Sequence, residues 1–491
     1  MPEIKLEHIN KRWGKFYAVD DLSMTIRDNA FVTLLGPSGC GKTTTLRMIA
    51  GLETPTSGKI TIGDKVVFDS SRGINIPANK RKVGFLFQNY ALWPNMTVYQ
   101  NISFGLTNIK EEMPKIDFEA RTNSQLVKIL KNPEEVVRVL EECRDKNGKI
   151  DSKRAVLKLI DAFTISQFTA KTLFSYHLEE GKDVSEEISK LSAKVKESVE
   201  KNHLDSSFQF TENGKVVVES RKMRREEIDL AVRRVSRIVK IGMFMDRYPA
   251  ELSGGQQQRV AIARTLAPEP SVLFMDEPLS NLDAKLRLEM RYELQRLHVE
   301  TGSTFVYVTH DQTEAMTLGD RVVVMKDGEV MQIGKPDEIY SNPASLFVAT
   351  FIGNPQMNVI PVSAYRKSEG FYINLFGKEL ALGVEYSSTL SKRNESFIPL
   401  MLGIRPEYIT LDEDSGLFEG EVTISEHTGN SIIVHMNVNG TEIVALEEER
   451  NRREINYVQD SILHFSFSLS DVYLFDAVSG LNITYGVGNG Q

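Results

Sequence analysis

The chain has 491 residues, of which 41% are hydrophobic and 26% charged, and its formal net charge is −8. That length exceeds a single core and predicts two or three domains, while the negative charge argues against a protein that binds duplex DNA. No apolar run reaches the ~18–20 residues that cross a bilayer, and no secretory signal precedes the first strand-like segment. We therefore expect a soluble, cytoplasmic chain that reaches a membrane only through a partner. Its two cysteines, Cys40 and Cys143, exclude a disulfide scaffold and argue against a cysteine-based zinc site.

Strands that alternate with helices predict an α/β core with a mainly parallel sheet. Residues 3–9 alternate in polarity like an edge strand, and short continuous apolar runs are typical of buried parallel strands. The apolar runs cover residues 31–35, 271–275, 304–308 and 321–325, and helical periodicity covers residues 44–50 and 284–300.

Residues 108–220 form a separate compositional unit that is dense in Lys and Glu with near-balanced charge. Three residues precede helical patterns and are predicted N-caps: Asn132, Asp151 and Ser185. The dipeptide Asn213-Gly214 is typical of a hairpin turn. We predict about three helices and one hairpin here.

The amino-acid composition changes after Gly353. Short runs rich in Val, Ile, Tyr and Phe are broken by Gly, Asn and Ser, and this spacing predicts a small all-β barrel domain. We place its boundary near Asn354-Pro355.

A glycine-rich loop lies between the predicted strand 31–35 and the predicted helix 44–50. It fits the phosphate-loop pattern, and its residues are Gly36, Pro37, Ser38, Gly39, Cys40, Gly41, Lys42 and Thr43, followed by Thr44. Glycine lets backbone amides approach phosphate oxygens, Lys42 brings positive charge to the β- and γ-phosphates, and the Thr43 hydroxyl can ligate Mg²⁺. The following helix adds the positive end of its dipole. The loop therefore predicts ATP and Mg²⁺ as the bound species, with Cys40 as a small residue of the turn.

Two acids, Asp276 and Glu277, follow the predicted buried strand 271–275. In isolation they could be surface acids at a strand end. Beside a phosphate loop, Asp276 is predicted to hold Mg²⁺ and Glu277 to polarise the attacking water.

A second anion-binding segment opens a helix after Leu252, with the residues Ser253, Gly254, Gly255 and Gln256. Ser253 is predicted to cap this helix, and the two glycines leave its amides bare. These residues resemble the signature motif of ABC ATPases, which implies that they bind the γ-phosphate of ATP held by the opposite chain. The resemblance covers residues 1–107 and 221–352 and implies an α/β P-loop ABC ATPase domain with a helical subdomain.

The same resemblance assigns roles to further residues. Gln88 matches the Q-loop glutamine, which implies a catalytic role and contact with the metal. Asp283 matches the D-loop at the dimer seam, and His310 matches the switch histidine that contacts the γ-phosphate. Trp13 matches the aromatic residue that stacks on adenine, although Trp13 could be a core residue and Tyr17 the stacking one.

The C-terminal segment 353–491 resembles the all-β, OB-like (TOBE-type) regulatory domain of importer ATPases. Gly403–Glu407 and Leu474–Asp476 carry this resemblance, and Pro355–Asn358 is similar to the hinge of sugar importers. The resemblance implies an ATP-hydrolysing subunit that energises an importer for a carbohydrate, with an oligosaccharide as the favoured cargo. A glycerol-phosphate or polyamine importer is the alternative, and the β-rich tail disfavours a soluble ABC ATPase outside transport.

Partners follow from the same resemblance. It implies a homodimer, or a heterodimer with a related ATPase, bound to transmembrane permease subunits at the cytoplasmic face of the cell membrane. A solute-binding protein would act indirectly, and no nucleic acid is expected.

Residues 108–220 depart from the family, in which a short linker occupies this place in the helical subdomain. The insertion is either a surface decoration or an added contact with the permease, the partner ATPase or a regulator. It supplies no ligand motif, since Cys143, His177 and His203 are scattered.

Overall fold

The computed structural model describes residues 2–108, 110–145, 148–448 and 457–486, without the side chain of Glu111. The chain divides into two units, one formed by Ala78–Phe305 and the other by Pro2–Pro77 with Val306–Gln491. No helix in the described ranges combines the length and the apolar character that a bilayer crossing requires.

An antiparallel sheet opens the unit of Pro2–Pro77 with Val306–Gln491. Its strands are β1 (Ile4–Trp13), β2 (Phe16–Ile26), β4 (Ser57–Ile62), β5 (Lys65–Asp69) and β6 (Ile74–Asn75), in the order β2-β1-β4-β5-β6. Because β1 pairs with β2 on one side and β4 on the other, the prediction of an edge strand at residues 3–9 is wrong. The alternation arises because Ile4, Leu6 and Ile9 are buried. One buried face does not determine whether a strand's edges are paired.

Parallel strands carry the predicted phosphate loop in the same unit. β3 (Phe31–Leu35) pairs in parallel with β14 (Arg321–Lys326), which pairs antiparallel with β15 (Glu329–Gly334). All of β3 is buried, as its continuous apolar run predicts. The other elements are α1 (Lys42–Ala50), β13 (Thr304–Thr309), α11 (Gln312–Leu318), α12 (Pro336–Ser341) and α13 (Leu346–Phe351). The boundary between the two units in the chain falls within β13.

The C-terminal segment is an all-β domain with a short helix, as predicted. Its elements are β16 (Asn358–Lys367), β17 (Gly370–Leu375), β18 (Lys378–Ala381), α14 (Val384–Leu390), β19 (Phe397–Ile404), β20 (Thr410–Asp412), β21 (Phe418–His427), β22 (Ser431–Val438), β23 (Thr441–Glu448), β24 (Ile462–Ser466) and β25 (Val472–Asp476). Two five-stranded antiparallel sheets, β18-β17-β16-β19-β25 and β20-β24-β21-β22-β23, share one buried cluster. Asn358 joins them, since its Nδ2 donates to Val444 O at 2.8 Å and its Oδ1 accepts from Val444 N at 2.7 Å.

The unit Ala78–Phe305 holds the remaining elements. Outside the insertion they are β7 (Val83–Leu86), α2 (Val98–Asn108), α8 (Arg225–Ile238), α9 (Gly254–Leu266), β12 (Val272–Asp276) and α10 (Ala284–Thr301). β12 is buried throughout and pairs in parallel with β7. The predicted strand at 271–275 and helix at 284–300 are therefore correct to within one residue.

The inserted segment contains more helices than predicted. Its elements are β8 (Lys110–Pro114), α3 (Phe118–Leu130), α4 (Pro133–Glu141), α5 (Ser152–Phe163), α6 (Gln167–Phe174), α7 (Ser185–Asn202), β9 (Thr211–Glu212), β10 (Lys215–Val216) and β11 (Val218–Lys222). In the described part of the insertion there are thus five α-helices, not three. Two of them, α4 and α6, have nine and eight residues, and such short helices have little periodicity to detect. The helices share a core of their own that includes Leu126, Val136, Leu140, Leu159 and Leu173.

The predicted caps of the insertion are partly correct. Asn132 and Asp151 occupy N-cap positions, and Asp151 accepts from the amides of Lys153 and Arg154. Ser185 is not a cap but the first residue of α7, and its own amide donates to Asp183 Oδ1 at 2.9 Å. The Ser185 hydroxyl donates to the same carboxylate oxygen at 2.5 Å, whereas a capping serine accepts from an amide two or three residues further along the helix.

Candidate functional site

The phosphate loop Gly36–Thr43 connects β3 to α1. Gly39 and Gly41 have φ values of +81° and +99°, in the left-handed region that favours glycine. A Cβ on Gly41 would lie 2.3 Å from Ala18 O, so a side chain there would clash with backbone. Glycines in this conformation turn successive amides toward one concavity, which suits an anion.

The Lys42 side chain lies inside this loop with only 5% of the residue exposed. Its Nζ donates to Gly36 O at 2.7 Å and to Pro37 O at 2.9 Å. Burial raises the pKa of the adjacent Cys40 thiol despite the Lys42 charge, so Cys40 is neutral near pH 7 and is not an activated nucleophile. The loop offers an ammonium group and backbone amides, and Thr43 and Thr44 lie half-buried at the start of α1.

Exposed aromatic side chains mark the turn between β1 and β2. Trp13 is 51% exposed, and its ring stacks on Phe16 with centroids 6.5 Å apart and planes 8° apart. Trp13 is therefore not a core residue. Tyr17, also exposed, directly precedes Ala18, whose carbonyl lies against Gly41 of the phosphate loop. Adenine stacking by Trp13 or Tyr17 stays a prediction.

Asp276 and Glu277 follow one another at the end of β12. Asp276 is buried, and Glu277 has a φ of +45°, an unusual backbone conformation that concentrates at functional sites. The Gln88 amide lies 3.5 Å from Glu277 Oε2 and 3.4 Å from Ser280 Oγ. Asn281 Nδ2 donates to Gln88 O at 3.1 Å. Two predicted catalytic residues, Gln88 and Glu277, are thus brought together with Ser280 and Asn281, which lie between Glu277 and Asp283.

The Ser253 segment has the predicted cap at the start of α9. Ser253 N donates to Gln256 Oε1 at 3.0 Å, and Gln256 N donates to Ser253 Oγ at 3.4 Å, which is a capping box. A Cβ on Gly255 would lie 2.7 Å from Leu286 Cδ2, so this glycine permits close packing against α10. Gly254 is exposed, and its position leaves the helix terminus open to an approaching anion.

Asp283 precedes α10, and His310 follows β13. Asp283 caps α10, since its Oδ1 accepts from Leu286 N at 2.9 Å, and it is exposed. His310 is exposed at the end of β13, and Asp311 caps α11 by accepting from Glu314 N at 3.1 Å. The unit Pro2–Pro77 with Val306–Gln491 holds Trp13, residues 36–44 and His310, and the unit Ala78–Phe305 holds Gln88, residues 253–256, Asp276, Glu277 and Asp283.

Comparison with known proteins identifies the family. The sequence profile described as ABC transporter matches residues 19–178 and 164–280. The chain belongs to the ABC transporter family. As a member of it, the chain is an ATP-binding subunit and an ATP hydrolase. A second profile, described as TOBE domain, matches residues 402–475, so the all-β C-terminal segment of this ABC protein is correctly predicted.

Relatives of this ABC protein align over most of its length. The trehalose/maltose import ATP-binding protein MalK of Thermococcus litoralis is 34% identical and covers 98% of this chain and 99% of the relative. The uncharacterized ABC transporter ATP-binding protein YurJ of Bacillus subtilis is 32% identical, with 97% and 98% covered. The maltose/maltodextrin import ATP-binding protein MalK of Escherichia coli K12 is 34% identical, with 89% and 86% covered.

Sequence reasoning overlooked one group of side chains in the insertion. His177, Glu179 and Glu180 place ligand atoms within 4.8 Å of one another. His177 and Glu180 are exposed, and Glu180 also pairs with Lys182 at 3.4 Å. Such an arrangement is ordinary for a solvated ion-pair cluster.

Proposed function

We propose that this ABC ATPase energises the import of a carbohydrate, with an oligosaccharide as the favoured cargo, at the cytoplasmic face of the cell membrane. The supporting observation is the match of 98% of the chain, including the C-terminal domain, to a protein named for trehalose and maltose import. The chain would reach the membrane through permease subunits and receive solute indirectly from a binding protein.

Each ATP would lie between two chains, which form a homodimer or a heterodimer with a related ATPase. Lys42 and the loop amides of one chain bind the phosphates, and the α9 terminus from Ser253 to Gly255 of the other chain binds the γ-phosphate. This division of labour explains why one chain carries two separate anion-binding segments. Trp13 or Tyr17 would stack on the adenine.

Mg²⁺ suits the donor set that the proposal assigns to it. Thr43, Gln88 and Asp276 supply hydroxyl, amide and carboxylate oxygens, which are the ligands that Mg²⁺ prefers. When bound, Mg²⁺ neutralises charge on the β- and γ-phosphates. Glu277 accepts a proton from the attacking water, Gln88 orients Glu277 through their contact, and His310 donates to the γ-phosphate.

The transport proposal is tested with the chain in its complex. The chain is purified with the permease subunits of its transporter, reconstituted in liposomes, and supplied with the cognate solute-binding protein. We expect ATP hydrolysis to rise when maltose, trehalose or maltodextrin is added. Stimulation by glycerol 3-phosphate or spermidine but by none of these sugars would contradict the carbohydrate assignment and leave the ATPase assignment standing.

We also infer that residues 108–220 are an inserted domain within an ABC ATPase domain of residues 1–107 and 221–352, followed by a regulatory domain of residues 353–491. Two observations support an independent insertion. Its helices have their own core, and its two ends pair as antiparallel strands with Pro114 opposite Val218. It is attached to α8, where Asp229 Oδ2 accepts from Gln167 N at 2.7 Å and Arg237 Nη1 donates to Thr164 Oγ1 at 2.7 Å.

Deletion of the insertion should leave the ATPase intact. Residues 115–217 are removed, and Pro114 is joined to Val218 through an Asn-Gly turn, which closes the paired ends as a hairpin. We expect the purified variant to hydrolyse ATP at close to the normal rate, since every predicted site residue lies outside the deletion. Arg237→Ala is the control, because it removes the bond from α8 to Thr164 but keeps the insertion. It shows whether a change at the surface of α8 alone affects the rate.

Loss of ATPase in a folded deletion variant would contradict this prediction. Sugar transport by the reconstituted variant then separates the two interpretations of the insertion. Normal transport identifies a surface decoration, and lost transport with retained ATPase identifies an added contact with the permease, the partner ATPase or a regulator.

A further inference from the structure

Gln312 occupies an unusual place, directly after the His310-Asp311 pair and at the first position of α11. Its side-chain amide does not face a neighbouring turn of its own helix. Nε2 donates to Phe351 O at 2.5 Å, and Oε1 accepts from Gly353 N at 2.9 Å. One side chain therefore binds the backbone on both sides of Ile352, where the ATPase portion ends and the C-terminal segment begins.

Hydrogen bonds also connect the residues before and after His310. Glu314, which is buried, accepts at Oε2 from Tyr307 Oη at 2.7 Å and from Thr309 Oγ1 at 2.8 Å. Asp311 N donates to Thr309 Oγ1 at 2.9 Å. Because β13 and α11 are tied together around the His310 turn, a shift of Gln312 would be passed to that turn.

Ile352, between the two contacts of Gln312, is also bound from the C-terminal domain. Its carbonyl accepts from Arg405 Nη1 at 2.7 Å, and Arg405 Nη2 donates to Tyr340 O at 2.7 Å. The guanidinium lies 3.7 Å from the centroid of the Tyr340 ring. Arg405 is fully buried, so its charge needs partners such as these to compensate it.

Gly353 makes this arrangement possible. Its φ is +119°, and a Cβ there would lie 2.8 Å from Arg405 Nη1. The hydroxyl of Tyr340, whose ring and carbonyl contact Arg405, donates to Glu407 Oε1. Glu407 follows Arg405 by two residues. Arg405 and Glu407 thus both contact Tyr340 of α12.

We propose that Gln312 is a positioning residue for His310, and that Arg405 connects it to the C-terminal domain so that a displacement of this domain changes the rate of ATP hydrolysis. The connection runs from β19 through Arg405, the backbone of residues 351–353 and Gln312 to the turn that holds His310. It rests on the proposed contact of His310 with the γ-phosphate. It requires no ligand on the C-terminal domain, only a movement of Arg405 relative to Ile352.

The main test compares Gln312→Ala with Thr313→Ala, an exposed neighbour on the same helix. Gln312→Ala should lower kcat roughly 2- to 30-fold, the range of couplings carried by such networks, with little change in the affinity for ATP. Thr313→Ala should leave both unchanged. Gln312→Glu keeps an acceptor for Gly353 N but places a carboxylate oxygen against Phe351 O, so we expect it to lower kcat at least as far as Gln312→Ala.

A His310→Ala background shows whether Gln312 acts through the histidine. There, Gln312→Ala should have no further effect on the residual kcat. An equal fall in both backgrounds, or a normal kcat for Gln312→Ala alone, would overturn the proposal. If the unchanged chain does not hydrolyse ATP, or if His310→Ala leaves kcat normal, the proposed function itself fails, and the two failures are distinguished.

Arg405 is tested at the other end. Arg405→Met removes both donors at similar length, and combined with Gln312→Ala it should lower kcat no further than the stronger single variant, because both act on one connection. Tyr386→Phe is the matched control, since it removes a bond from Tyr386 Oη to Val472 O (2.6 Å) within the C-terminal domain rather than one made by Arg405. Thermal unfolding of each variant confirms that it is folded, and a double variant whose effects on kcat simply multiply would refute the connection.

Discussion

A Glu277→Gln variant should bind ATP and almost cease to hydrolyse it. General-base catalysis by a positioned carboxylate contributes about 10²- to 10⁴-fold to a rate, and we expect kcat to fall by that factor. The replacement keeps the size of the side chain and its contact with Gln88, which lies 3.5 Å away, so binding should survive. Because ATP is then retained, the variant should form an ATP-dependent dimer.

Single-turnover hydrolysis and light scattering measure the two halves of this expectation. Glu300→Gln is the matched control, an exposed glutamate near the end of α10 that pairs with Arg296 at 3.6 Å. It should retain normal turnover. Normal hydrolysis by Glu277→Gln would remove Glu277 as the base, and loss of ATP binding would show that the residue acts in the ground state instead.

Local sequence patterns were sufficient to predict the strand that precedes the phosphate loop and several other local features. The apolar run Phe31–Leu35 coincides with β3, because a strand buried on both faces needs continuous apolar residues. The Ser253 cap and the end of the buried strand β12 at Asp276 were also predictable, since each depends on neighbours within a few residues. The same patterns failed for Ser185, which is the first residue of α7 and has its amide and hydroxyl bonded to Asp183.

Long-range relations were not predictable from the residues alone. Arg405 belongs to a recognisable motif, yet nothing local indicates that it is buried against Ile352 O and the Tyr340 ring, 53 and 65 residues away. Gln312 likewise follows the predicted switch histidine by two residues, and nothing in the sequence indicates that its side-chain amide binds Gly353, 41 residues away. The pairing of β1 on both edges depends on β4, which follows the phosphate loop and α1 in the chain.

Two inactive chains should recover activity when they are mixed, if the ATP site is built across the dimer. Ser253→Arg places a bulky cation at the open terminus of α9, and Lys42→Ala removes the ammonium from the phosphate loop, so each homodimer should be inactive. A mixed dimer combines the intact loop of the first chain with the intact α9 terminus of the second. With random pairing and independent sites, about a quarter of the normal specific activity should return.

The control mixture pairs Lys42→Ala with Glu277→Gln. Both residues are assigned to the same half of the site, so no combination of these chains contains a complete one, and no activity should return. Retention of labelled ATP by the mixed dimers serves as a second measurement, because it does not require both sites to turn over together. If Ser253→Arg and Lys42→Ala chains neither hydrolyse nor retain ATP when mixed, the two anion-binding segments do not meet across chains. Ser253 would then have no role in binding the ATP held by a partner chain. The α9 terminus would need a ligand other than the ATP that the phosphate loop binds.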